Sequence, residues 1–149
     1  MGAGGAAEGV IYSMLEKKPS ELTLTNRTIE KSNVIQNKMG VHAKSFDVNL
    51  NVIEIAKCPH QYFDLIINAT SASISDDALH MDPKVFHKGS LAYDMMYGKE
   101  TSYMKQAKSQ GSKVSDGLGM LVEQAAEAFF IWHHIKPQTK SVIESLRAL

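Results

Sequence analysis

The sequence predicts an α/β fold, a doubly wound parallel sheet with helices packed on its faces. Three observations predict it. Segments of helical and of strand periodicity alternate along the chain with short connections. Residues 62–68 form a nearly continuous apolar run, which suits a strand covered on both faces. A glycine-rich stretch, Gly2-Ala3-Gly4-Gly5-Ala6-Ala7, opens the first helix.

Taken in order, residues 6–18 read as a helix, with Val10, Ile11, Met14 and Leu15 at helical spacing and Pro19 closing it. Glu21–Asn26 alternates and is rich in Thr and Leu, as a strand is. Residues 29–39 suit an amphipathic helix with Ile29, Val34, Ile35 and Met39 inward and Gly40 as its stop signal. Residues 41–46 read as a short strand, and Val52, Ile53, Ile55 and Ala56 as a short helix beneath a loop. After the apolar run 62–68, residues 71–89 read as loop with one helical turn near 83–86. Residues 90–94 suit a short buried strand, 101–110 a helix and 112–115 an edge strand. Leu118–His133 is a long apolar helix broken by Pro137, and 138–149 forms a last helix with Val142, Ile143, Leu146 and Leu149 on one face.

The bulk properties narrow the function classes. At 149 residues the chain has room for one domain with a core of ordinary size. Sixteen Lys and Arg balance sixteen Asp and Glu, so no basic face suggests nucleic acid and no polybasic run suggests an anionic membrane. The stretch Leu118–Ile135 is interrupted by Glu123, Gln124 and Glu127, so it does not read as a membrane span. A single cysteine, Cys58, excludes an internal disulfide and a cysteine-based zinc cluster. It reads as a loop thiol in preference to a nucleophile. The six histidines carry no ligand spacing and suit surface or capping roles, so no metal is expected. No signal peptide is visible, and the expected compartment is the cytoplasm.

Glycines at a helix start let the backbone approach a pyrophosphate, while free N–H groups and the helix dipole favour the anion. Gly2-x-Gly4-Gly5-Ala6-Ala7 departs from G-x-G-x-x-G in placing Ala7 at the third position, a substitution that the fingerprint allows. Alone, the motif also suits a flexible tail of small residues. Its context favours a Rossmann-like dinucleotide site. The strand that follows ends some twenty residues on, where such folds read the adenosine ribose. There stand Thr25-Asn26-Arg27-Thr28, with Lys31 one turn later. Two cations and two polar side chains suit a 2′-phosphate, hence NADP; Thr28 also suits a helix cap. The fingerprint requires a strand feeding the turn, and only Met1 precedes Gly2. The sheet is therefore expected to be N-terminally truncated, its first strand missing, in a chain that begins inside a longer protein.

GAGGAA (2–7), TNRT (25–28), FDLIINATS (63–71), YDMMY (93–97) and DGLGMLVEQAA (116–126) together resemble the shikimate dehydrogenase family across essentially the whole chain. The resemblance implies an NADP-dependent oxidoreductase reducing 3-dehydroshikimate to shikimate in aromatic amino-acid biosynthesis. Residues 1–149 would be its NADP-binding domain, with the helices of 117–149 packing toward a substrate domain upstream. It puts the pyrophosphate on Gly2, Ala3, Gly4, Gly5 and Ala6, and the adenosine phosphate on Asn26, Arg27, Thr28 and Lys31. It puts Asn68, Ala69 and Thr70 at a strand end beside the cofactor. The backbones of Met95 and Gly117 and the side chain of Met120 would line the nicotinamide pocket, while Tyr97 and Gln124 would bind shikimate. Met95, Met96 and Met120 also suit plain core packing, Gln124 a solvent-facing edge, and Asp116 a helix cap.

The resemblance also implies what this chain lacks. The family's catalytic Lys–Asp pair lies in the upstream domain, so no catalytic residue is expected here and the chain alone should be inactive, with exposed apolar surface and marginal stability. A homodimer is open for the full-length protein. Two alternatives remain at this point: a quinate/shikimate or aminoshikimate relative, and a non-catalytic NADP-binding module. Thr28 and Lys31 speak against the quinate type, which carries an acidic residue past the second strand.

Overall fold

Among the described residues, five strands, all paired in parallel, fall into two sheets separated by a gap. The computed structural model describes residues 1–58, 62–70 and 82–148. In one sheet β1 (Glu21–Asn26) pairs with β2 (Asn49–Glu54), Leu24 lying opposite Val52. In the other, β4 (Leu91–Asp94) lies between β3 (Leu65–Asn68) and β5 (Lys113–Ser115), with Ile66 opposite Ala92 and Ala92 opposite Val114. Helices α1 (Gly5–Glu16), α2 (Ile29–Ser45) and α3 (Ser102–Ser109) follow Rossmann-like α/β alternation. Helices α4 (Leu118–His133) and α5 (Lys140–Arg147) complete the chain.

The core is split in the same way. Ile11 and Leu15 of α1 and Ile35 and Ala43 of α2 pack on Leu24 and Leu50 of the first sheet. Tyr103, Met104 and Ala107 of α3 pack with Val85 and Phe86 on Ile66 and Ala92 of the second. Tyr103 also ties α3 to β3, its hydroxyl donating to the Ile66 carbonyl at 2.7 Å. Burial of that phenol raises its pKa.

Met1 and Gly2 sit in the gap between the sheets. The Met1 amine donates to Ile67 O at 2.6 Å, and Ala69 N–H donates to Met1 O at 2.9 Å. On the other side Gly2 N–H donates to Thr25 O at 2.9 Å. These two residues thus form the end of a central strand, hydrogen-bonded to both neighbours. The turn is thereby anchored by the flanking strands, at the C-terminal edge of the sheet.

Three local readings differ from the structure. Residues 41–46 are the end of α2, which runs through Gly40 to Ser45. A glycine inside a helix costs about 1 kcal/mol, and here the burial of Ala43 against the first sheet offsets it. Val34 is exposed, while Ser32, Ile35 and Ala43 face inward. Residues 49–54 are strand β2, followed by one 3₁₀ turn at Ile55–Lys57, where a helix was expected. Val52 and Ile53 pair in parallel with Leu24 and Thr25 of β1 there, and such tertiary pairing overrides weak local preference.

The last two helices expose an apolar face. Phe129, Phe130, Ile131 and Trp132 of α4 and Val142 and Leu146 of α5 all stand open, Trp132 at 74% exposure. His134 ends α4 in the left-handed conformation, φ 56°, its N–H donating to Phe130 O at 2.7 Å. The capping role open to the histidines therefore holds for this one. No helix among the described residues is long and apolar enough to cross a membrane.

Candidate dinucleotide site

The candidate residues gather at the C-terminal edge of the strands, where ligands of doubly wound sheets bind. Gly2 has φ +98°, and a Cβ there would lie 2.7 Å from Ala69 O. Only glycine fits, because both the left-handed backbone and the close approach exclude a side chain. Gly4 and Gly5 differ. Neither would place a Cβ within 4 Å of another group, so their surroundings are open for a ligand.

Helix α1 begins at Gly5, with Gly4 as N-cap and no side chain capping its first turn. The helix start therefore presents backbone donors and its positive dipole end beside two open glycines. A pyrophosphate fits that chemistry. Asn26 ends β1 and donates from Nδ2 to Thr28 O at 2.9 Å, shaping the turn into α2. Arg27, Thr28 and Lys31 are exposed around it. Thr28 occupies the N-cap position of α2, but its side chain makes no capping bond. Its hydroxyl and the two cations fit a phosphate on the ribose.

Across the gap, Asn68 and Asp94 end β3 and β4 in full burial. Asn68 Nδ2 donates to Asp94 Oδ1 at 3.2 Å, and Asn68 Oδ1 accepts from Thr70 N–H at 3.1 Å and Thr70 Oγ1 at 2.7 Å. Asp94 Oδ1 also accepts from Met96 N–H at 3.1 Å, and Oδ2 from Thr101 Oγ1 at 2.6 Å. Thr101 Oγ1 in turn accepts from Met104 N–H at the start of α3. This buried network fixes the backbone of 68–70 and 94–96. Asp94 and Thr101 were not singled out from the sequence; the available signal was an Asp at a strand end seven residues before a helix-capping Thr.

Met95 and Gly117 come together. Gly117 N–H donates to Met96 O at 2.9 Å, and a Cβ on Gly117 would collide with the Met95 carbonyl. Met120 lies one turn into α4, half-buried, and Tyr97 and Gln124 both stand exposed. Asp116 accepts from Leu118 N–H and from Arg147, both at 3.4 Å, which joins the start of α4 to α5. Cys58 packs half-buried against the second core, and burial raises its thiol pKa. A thiol held protonated is a poor nucleophile.

The glycine turn, the first strand end and the motif at 63–71 fall within residues 1–78, which match the shikimate / quinate 5-dehydrogenase model. The chain belongs to the shikimate/quinate 5-dehydrogenase family. Residues 117–147 also match the model of the shikimate 5′-dehydrogenase C-terminal domain. The chain is 44% identical to a shikimate dehydrogenase (NADP(+)) of Methylobacillus flagellatus over 99% of its own length and 54% of that protein. Among solved structures, an Ael1 enzyme from Pseudomonas putida superposes with a TM-score of 0.88 at 38% identity, covering 97% of this chain and 52% of that one. A shikimate dehydrogenase in complex with NADP+ superposes with a TM-score of 0.81 at 27% identity, covering 99% and 52%. The chain thus spans about half the length of the family members it matches.

Proposed function

We propose that this chain is the NADP-binding part of a cytoplasmic shikimate dehydrogenase, which interconverts 3-dehydroshikimate and shikimate. The observation that carries the reading is the convergence at one sheet edge of an uncapped helix start, two open glycines and the Arg27–Lys31 cation pair. The turn of residues 2–6 binds the pyrophosphate through the backbone N–H groups that follow Gly2, whose own N–H is held by Thr25 O. Asn26, Arg27, Thr28 and Lys31 bind the 2′-phosphate, with Lys31 as a point charge lacking the bidentate fork of an arginine. Ala69 and Thr70, held in place by Asn68, flank the cofactor. Met95, Gly117 and Met120 line the nicotinamide end. When bound, NADPH supplies the hydride; this chain's residues orient it and keep water from the reacting face.

Tyr97 and Gln124 supply hydroxyl and amide hydrogen bonds to the substrate, and the proton is handled by a Lys–Asp pair in a separate substrate domain. The exposed apolar face of α4 and α5 packs toward that domain. The 149-residue chain alone therefore binds cofactor without turning over shikimate. Titration with NADPH and NADH, followed by nicotinamide fluorescence, tests the reading. Tighter binding of NADPH, by about tenfold or more, is expected from two cations on one phosphate. Equal affinity for the two would overturn the NADP assignment, and shikimate oxidation by the isolated chain would overturn the division of labour.

A further inference from the structure

β3 and β4 change character at the ligand edge of their sheet. On the face that packs against α3 they carry Ile66 and Ala92 in mid-strand, then Asn68 and Asp94 at the C-terminal end, all four buried. A carboxylate is costly to bury, and apolar residues of similar volume often match such a group in stability. What a well-satisfied buried polar group adds is one fixed arrangement of its partners. The partners of Asp94 are therefore the guide to its use.

Asp94 clasps the loop after β4 at both ends. Its Oδ1 accepts from Met96 N–H at 3.1 Å, and its Oδ2 from the Thr101 hydroxyl at 2.6 Å, just before α3 begins. Thr101 Oγ1 also accepts from Met104 N–H at 3.3 Å, which leaves its single proton for Asp94. The loop is held sideways as well. Met95 N–H donates to Asn68 O at 3.0 Å, and Met96 O accepts from Gly117 N–H at 2.9 Å. A Cβ on Gly117 would collide with the Met95 carbonyl, so the two backbones meet with no room for a side chain. The place of Met95 and of Gly117 thus follows from how firmly Asp94 holds Met96.

The adenosine end of the site shares none of these parts. Asn26, Arg27, Thr28 and Lys31 stand at the end of β1 and the start of α2, elements that pack in the other core. A change at Thr101 therefore reaches a bound dinucleotide through the loop after β4, at the nicotinamide end. We propose that Asp94 and Thr101 are positioning residues for the nicotinamide ring: together they fix Met95 and the Gly117 backbone against it without touching it. This role rests on the NADP-binding reading above and adds two residues to it. Affinity for the ring depends on the clasp, and affinity for the rest of the cofactor does not.

The test compares NADP+ with 2′-phospho-ADP-ribose, the same molecule without nicotinamide, by calorimetry on the 149-residue chain. The parent should bind NADP+ more tightly. Thr101→Val should weaken NADP+ binding about tenfold and 2′-phospho-ADP-ribose binding less than about twofold. Thr101→Ser keeps the hydroxyl and should restore the parent values. Ser90→Ala is the control for general loosening. Ser90 is buried on the same face as Asp94, at the opposite end of β4, and bonds to Ser112 Oγ and His87 O. Its loss should lower the melting temperature and leave the ratio of the two affinities unchanged. A second measurement needs no variant. By linkage, the ring must tighten whatever helps to hold it. NADP+ should therefore slow amide exchange at Met96 and Met104 more than 2′-phospho-ADP-ribose does.

Equal losses for the two ligands in Thr101→Val, or the same selective loss in Ser90→Ala, would overturn the positioning role and leave the dinucleotide site in place. So would failure of Thr101→Ser to restore binding, equal parent affinity for the two ligands, or equal protection by them. Failure of the parent chain to bind either ligand would overturn the dinucleotide reading itself, and this role with it.

Discussion

The Thr101 hydroxyl donates a 2.6 Å hydrogen bond to Asp94 Oδ2, and both residues are fully buried. The other oxygen of Asp94 accepts from the Asn68 amide and the Met96 N–H. One carboxylate thereby ties the ends of β3 and β4 to the first turn of α3. Thr101→Val keeps the shape and removes one donor from a buried carboxylate, so it should destabilise the fold by about 1–3 kcal/mol. Asp94→Ala strands several donors at once and should cost more, about 2–5 kcal/mol. Denaturant unfolding of the two variants beside the parent chain measures both. A loss within error for Asp94→Ala would mean that water replaces the carboxylate.

The glycines of the turn should separate fold from ligand binding. Gly2→Ala places a methyl group 2.7 Å from Ala69 O in a left-handed backbone, so it should lower stability by about 1–3 kcal/mol as well as weaken cofactor binding. Gly4→Ala meets nothing within 4 Å. It should leave the melt nearly unchanged while weakening NADPH binding through the bulk it adds where backbone meets pyrophosphate. Melting curves and NADPH titrations on the two variants would show the contrast. If Gly4→Ala binds NADPH as the parent does, the pyrophosphate does not approach that glycine.

Arg27 and Lys31 should set cofactor preference and not fold. Both are exposed at the start of α2. Arg27→Ala should cut NADPH affinity about tenfold to a hundredfold while changing NADH affinity little, with a loss that shrinks at high salt. Lys31→Arg should tighten NADPH binding modestly by adding a planar fork at the phosphate. Parallel changes for both nucleotides would place the arginine on the adenine and not on the 2′-phosphate.

Much of this was legible because the signals are local or repeated. Leu118–His133 was readable to the residue, since Pro137 and an uninterrupted apolar pattern bound it on one side and Asp116-Gly117 on the other. Glu21–Asn26 was readable because its Thr and Leu residues alternate at strand spacing, although Leu24 and Thr25 on opposite faces are both buried. The stretch 41–54 was not. Gly40 looks like a stop to any local rule, and only the burial of Ala43 against β1 and β2 keeps the helix going. β2 exists because β1 offers it a parallel ladder, which no window of sequence contains.

The site followed the same division. The glycines, Arg27 and Lys31 carry their chemistry in residue type and spacing, so they could be named in advance. The Asn68–Asp94–Thr101 network could not, because its members stand 26 and 7 residues apart and meet only through strand pairing. The anchoring of Met1 was likewise invisible: it depends on the carbonyls of Thr25 and Ile67, which belong to two separate sheets.

His134 offers a stabilising substitution. It closes α4 at φ 56°, where a non-glycine residue carries a steric cost and glycine does not. His134→Gly should stabilise the chain by about 0.5–1 kcal/mol, or about 1–4 °C for a domain of this size. His134 is exposed, so little packing is lost beyond its edge contact with Phe130. A drop in melting temperature would show that this ring contact outweighs the backbone strain.

The Met1 amine should make stability depend on pH. Burial lowers its pKa from 8.0 to about 6, only partly countered by the neighbouring Cys58. Met1 as a residue is partly exposed, but its nitrogen lies within the sheet against Ile67 O. Because the folded pKa is depressed and the group is a base, the unfolded chain binds more protons than the folded chain between pH 6 and 8. Stability therefore rises as pH rises through that window and is flat with respect to this group on either side. Two pKa units correspond to about 2–3 kcal/mol. Denaturant unfolding at pH 5.5 and 8.5 should show the higher stability at 8.5. Nα-acetylation removes the titrating group and should abolish that part of the difference. A pH dependence unchanged by acetylation would assign it to other groups.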